Sequence, residues 1–167
     1  MLNIITVFWN KEMFNILENT LKDDRIRHCL VIGSDRINKI QALNNMFQRL
    51  SEKDDYFMIV DNDTIFHPNA LNIYESVKNS KTIVIGQQLY HNDKVRLQPH
   101  IPQEAYIDTG SCMCHCSALK QVKWGTSNTI SPDADFWKDC YRYFGTNIIT
   151  RYEPISYYNY QIKQEIG

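Results

Sequence analysis

The chain has 167 residues, enough for one compact domain and too few for two of ordinary size. Apolar residues make up 43% and charged residues 22%, the balance of a chain that buries a core rather than staying disordered. Eighteen basic side chains against nineteen acidic ones give a formal charge of −1, without the basic excess of proteins that live on nucleic-acid phosphates.

Taken in chain order, the first half alternates between two periods. An apolar, β-branched run over residues 4–9 is followed by Met13, Phe14, Leu17 and Leu21 at helical spacing. Cys29 to Ile32 forms a second short strand, ended by Gly33-Ser34-Asp35. Ile40, Leu43, Phe47 and Leu50 mark a second helix. Tyr56 to Val60 is a third apolar run, stopped by Asp61-Asn62-Asp63. Pro68 opens a third helix carrying Leu71, Tyr74 and Val77, and Thr82 to Ile85 is a fourth strand. Apolar strands separated by helices predict an α/β fold with a mainly parallel sheet covered on both faces.

The second half is less regular, and its strands are expected to be mixed. Residues 94–98 alternate like an exposed strand. Tyr106 to Cys116 reads as a strand broken at Gly110, with Cys112, Cys114 and Cys116 on one face and His115 on the other. Ser131-Pro132 is a helix start, continued by Phe136, Cys140 and Phe144. An apolar and aromatic stretch runs from 147 to 160. With neither repeat nor linker, the expectation is a single domain over 1–167.

The five cysteines are odd in number and lack CxxC spacing, so packed, unpaired thiols are expected. No apolar run is long enough for a transmembrane segment, and the N-terminal run is too short for a signal-peptide core. The expected location is cytoplasmic.

Ligands of open parallel sheets sit beyond the carboxyl ends of the strands. Polar clusters fall there at Asn10-Lys11, Ser34-Asp35 and Asp61-Asn62-Asp63. Two carboxylates two residues apart, directly after a strand, can hold a hard divalent ion that keeps room for a diphosphate; the alternative for such a triplet is a solvated turn. Asp133 and Asp135 fall in the first turn of a predicted helix, where the dipole favours the ionised form. Either they decorate a helix start or one of them supplies a general base. The histidines, including His67, His91, His100 and His115, show no metal-ligand spacing and read as packing or surface groups. Trp124 and Trp137 could each stack on a sugar, with core packing the alternative for Trp137. Lys94 and Arg96 read first as a solvated strand edge, with contact to phosphate or an anionic acceptor the alternative.

These segments resemble the GT-A type nucleotide-sugar glycosyltransferases, above all the inverting enzymes of glycosyltransferase family 2. The similarity runs in order through ITVFWNKEMFNILENTL, YFMIVDNDTIFHPNAL, IDTGSCMCHCSALKQV, SPDADFWKDCYRYFG and RYEPIS, from about Ile4 to Tyr160. It implies a single GT-A (Rossmann-like) domain over 1–167, with a nucleotide-binding half (1–65) and an acceptor-binding, catalytic half (66–167), that moves a sugar from a nucleoside-diphosphate donor, most commonly a UDP-sugar, to an acceptor hydroxyl with inversion. The acceptor would be a glycan, a protein or a modified DNA base. Asp63, with Asp61, would bind Mn²⁺ or Mg²⁺. Asn10, Asp35, Asp61 and Asn62 would contact the nucleotide, with Asp35 reading the base. Asp133, with Asp135 as its rival, would deprotonate the acceptor. Gly110, Ser111 and Trp137 would line the sugars. The chain departs from the family pattern at Pro132, where the family carries Glu, and on the closing strand, where Tyr157 to Tyr160 stand in place of a metal-binding His. It also lacks the Gly-rich turn after Asp35. Two other readings are a non-catalytic sugar-nucleotide-binding module of the same fold and a haloacid-dehalogenase-like phosphatase using Asp61 as nucleophile. The phosphatase motif belongs on a first strand, whereas here two β–α units precede it.

Overall fold

The structure, a computed structural model, describes residues 1–8, 11–61, 64–102, 106–125 and 131–158, with the side chains of residues 12 and 13 left aside. Eight strands are present among them: β1 (Leu2–Val7), β2 (Ile26–Val31), β3 (Tyr56–Ile59), β4 (Ile65–Phe66), β5 (Ile83–Tyr90), β6 (Val95–Leu97), β7 (Cys112–His115) and β8 (Ile148–Tyr158). Four α-helices accompany them: α1 (Lys11–Thr20), α2 (Arg36–Ser51), α3 (Asn69–Val77) and α4 (Pro132–Phe144).

All eight strands belong to one sheet, in the order β2-β1-β3-β7-β5-β8-β4, with β6 paired to β5. The β2-β1-β3 part is parallel, as the alternating periods predict. Beyond β3 the sheet is mixed. β7 runs antiparallel to both β3 and β5, β8 runs parallel to β5, and β4 is antiparallel to β8. The architecture is therefore α/β, with a mixed sheet flanked by helices.

Residues alternate across this sheet, so each apolar run feeds two cores. Ile5, Phe57, Ile59, Ile83, Ile85, Cys112 and Cys114 face Leu43, Phe47 and Leu50 of α2 and Phe136, Trp137 and Cys140 of α4. Ile4, Met58, Val60, Val84 and Met113 face Leu17 of α1 and Ala70, Ile73, Tyr74 and Val77 of α3. Burial on both faces explains why the central strands read as unbroken apolar runs. All five cysteines are unpaired and buried in the first core. Burial lifts the thiols of Cys112 and Cys114 well above their ordinary range and that of Cys116 to about 12, so they pack as neutral apolar groups. His115 faces the other way, edge-on to Tyr56 and bonded to Asp54.

The segment expected as a strand broken at Gly110 is instead a 3₁₀ turn over Thr109–Ser111 leading into β7. The Asp108 carboxylate accepts the Ser111 N–H while Asp108 N–H donates to the Ser111 hydroxyl, closing a capping box, and the same carboxylate also accepts the Thr109 N–H. Cys116 to Lys120 forms a second 3₁₀ segment, so Cys116 reaches the core from beyond the strand.

Candidate functional site

β1 and β3 lie side by side and parallel, and Val7 and Ile59 at their carboxyl ends line a cavity of about 380 Å³. This is where open α/β sheets take ligands. Val60 N–H donates to Ile5 O at 2.9 Å, carrying the pairing one residue past β3, and Thr64 N–H donates to Asp61 O at 2.9 Å. Asp61 is thus fixed in a turn directly after the strand, with its half-buried side chain on the cavity wall. The Thr109 hydroxyl stands 3.1 Å from Asp61 Oδ2. A residue 48 positions away, on the 3₁₀ turn, therefore orients this carboxylate.

Arg36 and Lys39, one turn apart on α2, also line the cavity. Ile40, Leu43 and Trp124 supply its apolar surface, and Pro132 brings in the start of α4. Cations, one oriented carboxylate and a flat apolar wall suit a ligand with an aromatic end and an anionic end. Arg36 and Lys39 give no sign of this role in the sequence, because cations in a first helical turn usually mark a solvated face.

Asp35 caps α2. Its Oδ1 accepts Asn38 N–H at 2.9 Å and its Oδ2 accepts the Asn38 amide at 2.8 Å. The bond from the Asn38 backbone holds this exposed carboxyl below its ordinary range. The expected base-reading acid therefore serves its own helix, and the adjacent cavity wall is made by Arg36 and Lys39.

Asp133 and Asp135 both lie in the first turn of α4, as expected, but their environments differ. Asp135 Oδ1 is 3.6 Å from Lys138 Nζ, an ordinary pair along the helix face. Asp133 is pushed above its ordinary value, first by burial and then by the charge of Asp108, while Arg96 opposes the shift. The expectation that the helix dipole dominates at Asp133 is thus corrected, because desolvation outweighs it. Asp108 in turn touches Thr109, so one hydroxyl bridges the Asp61 and Asp108 carboxylates, and the charge of Asp108 is one cause of the shift at Asp133.

Three expected sugar-lining residues are corrected. Trp137 is 0% exposed and stacks on Phe57 at 5.8 Å, so no ring face is open to a sugar. Gly110 is buried, and a Cβ there would lie 2.8 Å from Ser156 Oγ, so a side chain at this position would have to displace that hydroxyl. Ser111 is buried and spends its hydroxyl on the capping box. Arg96, expected on a solvated edge, is partly buried and bonded to Asp108 at 2.6 Å. Asn10, Asn62 and Asp63 lie outside the described residues.

Of the two residues expected to hold Mn²⁺ or Mg²⁺, Asp61 lies among the described residues and Asp63 does not. Asp61 offers hard carboxylate oxygen at the cavity wall, oriented by a hydroxyl. Among the described residues no three His, Cys, Asp or Glu side chains converge on one metal position. An ion of this kind bound with substrate phosphates needs only one or two carboxylates from the protein. No helix among the described residues is long and apolar enough to cross a membrane.

No protein-family model matches the chain, and no curated protein matches it. Among solved structures it is similar to the crystal structure of A197 from STIV, with a TM-score of 0.56 and 12% identity, covering 81% of this chain and 75% of that one. A likeness at that identity speaks for the fold alone.

Proposed function

We propose that the chain is a metal-dependent glycosyltransferase of the GT-A type, transferring a sugar from a nucleoside-diphosphate donor to an acceptor hydroxyl with inversion. The observation that carries this reading is the Asp61 carboxylate on the cavity wall at the carboxyl end of β3, bonded by the Thr109 hydroxyl, with Pro132 at the start of the Asp133-bearing helix α4 on the same cavity. The ordered resemblance of the sequence segments supports it independently.

In this reading the nucleoside lies against Trp124, Ile40 and Leu43, and Arg36 and Lys39 face its anionic part. Asp61 and Asp63 would hold the divalent ion, which when bound supplies Lewis-acid stabilisation of charge on the departing diphosphate. Asp133 accepts the proton of the acceptor hydroxyl as that oxygen attacks the anomeric carbon from the face opposite the leaving group. Its raised affinity for a proton makes it a better base than an ordinary surface carboxylate. UDP-sugars are the first donors to examine, and a glycan or protein hydroxyl the first acceptors. A cytoplasmic location belongs to the same proposal.

The test is a thermal-shift panel of UDP, GDP, CDP and dTDP sugars, each with Mn²⁺ or chelator. A ligand at 100 times its Kd stabilises the fold by about 2.7 kcal/mol. A metal-dependent shift by one nucleotide class, lost in Asp63→Ala, supports the donor site. Silence across the panel with folded protein overturns it.

A further inference from the structure

A second cavity, of about 620 Å³, lies on the other side of the sheet from the candidate site. Phe66 of β4 and Leu71 of α3 form its floor and pack with the second core, whereas Leu43, Ile59 and Trp124 of the first cavity pack with the first. The two cavities share no lining residue. The rim is polar and comes from three separate places: Lys22 and Asp23 after α1, His91 and Asp93 in the turn between β5 and β6, and Tyr157 near the end of β8.

This rim is built rather than loose. The Tyr157 hydroxyl donates to Asp93 Oδ1 at 3.0 Å, and the Tyr157 ring meets that of His67 at 5.2 Å, so the phenol is held at both ends. Asp93 N–H donates to Tyr90 O at 3.1 Å, and Asp93 keeps a left-handed conformation (φ 61°) that residues with a side chain seldom adopt. His91 Nδ1 is buried without a hydrogen-bond partner among the described residues, a state native folds rarely leave a polar atom in.

The charges on the rim balance. Asp23 is already paired with Arg25, whose Nε and Nη2 reach it at 2.8 and 2.7 Å. Lys22 and Asp93 remain exposed and opposite in sign. A phosphate or carboxylate entering here meets Asp93, and an amine meets Lys22. A neutral ligand rich in hydroxyls meets neither penalty, because a hydroxyl both donates to a carboxylate and accepts from an ammonium. Its C–H face can lie on Phe66, Leu71 and the Tyr157 ring. We propose that this cavity is a saccharide site, which takes a short neutral oligosaccharide. Neither its residues nor its chemistry depend on the donor site.

The test is an amide NMR titration of the whole chain with maltotriose, cellotriose, mannotriose and triacetylchitotriose, and with inorganic phosphate and putrescine as charged probes. The expected result is that a trisaccharide shifts the amides of Thr20, Leu71, His91 and Asp93 to saturation and leaves those of Lys39 and Trp124 in place. Phosphate and putrescine should not shift the first set. Asp93→Gly keeps the left-handed turn and removes the acceptor, and it should weaken trisaccharide binding by about tenfold. If Asp93→Gly does not fold, Asp93→Asn, which also tolerates that conformation but carries no charge, decides by a loss in the same direction. Four silent trisaccharides with folded protein overturn the proposal. So does affinity that the Asp93 variants leave unchanged, tighter binding of phosphate or putrescine at these amides, or trisaccharide shifts confined to Lys39 and Trp124. A trisaccharide bound here while no nucleotide sugar stabilises the fold removes the donor-site reading and leaves this site standing.

Discussion

Asn44 grips the peptide of Trp124 from both sides: its Nδ2 donates to Trp124 O at 3.0 Å, and Trp124 N–H donates to its Oδ1 at 2.9 Å. A side-chain amide thus stands in for a neighbouring strand and holds the indole against the cavity, 80 residues away in the chain. Gly125 follows in a left-handed conformation (φ 72°), which suits glycine. Asn44→Ala loses two hydrogen bonds and is expected to cost about 1–3 kcal/mol of stability. It should also weaken nucleotide-sugar binding several-fold, because the apolar wall loosens. Asn44→Asp keeps an acceptor for Trp124 N–H but sets a carboxylate against a carbonyl, so it should be no better than alanine. Urea unfolding and thermal shifts with donor read both effects.

Asp133 and Asp135 are separated by a single residue, and the proposed function gives them unequal weight. Asp133→Asn should lower kcat by about two to four orders of magnitude while leaving donor affinity intact, the signature of a lost general base. Asp135→Asn should cost no more than a few-fold, since its partner is Lys138 on the same helix face. Asp133 binds its proton more tightly than an ordinary carboxylate, so the acid limb of the kcat profile should lie above the usual carboxylate range. Asp108→Asn removes one cause of that shift and should move the limb to lower pH. Equal losses in the two Asn variants would sink the assignment of Asp133 as base.

Much of this was legible because helical and strand periods alternate so sharply up to residue 60. Burial on both sheet faces leaves apolar runs such as 56–60 that end abruptly at charge, and the end of such a run is where the site lies. Ser131-Pro132 marked the start of α4 in the same way. The two-residue strand β4 carries too few positions to show a period. β7 lodges between β3 and β5 through pairing of segments distant in the chain, which no local pattern encodes. Thr109, Asp108 and Arg96 come from a turn and an edge hairpin, and only the folded chain aligns them with Asp61. Trp137 was legible both ways, since a helical tryptophan two residues from an acidic pair fits either a core or a sugar platform.

The core position of Trp137 can be checked directly. Trp137→Ala removes a fully buried indole and should cost about 3–5 kcal/mol. Its Nε1 is buried without a hydrogen-bond partner among the described residues. Trp137→Phe loses volume but also removes that unsatisfied donor, so it should be clearly milder than alanine. Donor affinity measured on the folded fraction should not change in Trp137→Phe. A loss of affinity without loss of stability would instead return Trp137 to the sugar site.

Acid should loosen the fold well before the carboxylates titrate. Burial lowers the proton affinity of His28, His67 and His115, so each is held neutral in the folded chain more firmly than in the unfolded one. For such groups the unfolded chain binds more protons below pH of about 6.5, and stability falls as pH drops through that window toward the folded values. Above it they contribute no slope. Asp133 acts with the opposite sign: its raised proton affinity favours the fold at low pH, and that contribution is lost as pH rises through its folded value. Its window lies above the ordinary carboxylate range, so its effect opposes the histidines only where the two overlap. His115 is also tempered by Asp54, which favours the protonated ring. His28 stacks on Phe14 at 5.2 Å and bonds the neutral hydroxyl of Thr6 at 3.1 Å; the Glu18 charge tempers its burial without a hydrogen bond of the kind Asp54 makes to His115, so His28 should contribute more of the slope. Urea midpoints should fall between pH 7.5 and 5.5 in wild type, and His28→Gln should flatten that fall. Midpoints that hold steady over this range would show that the buried rings are protonated without penalty.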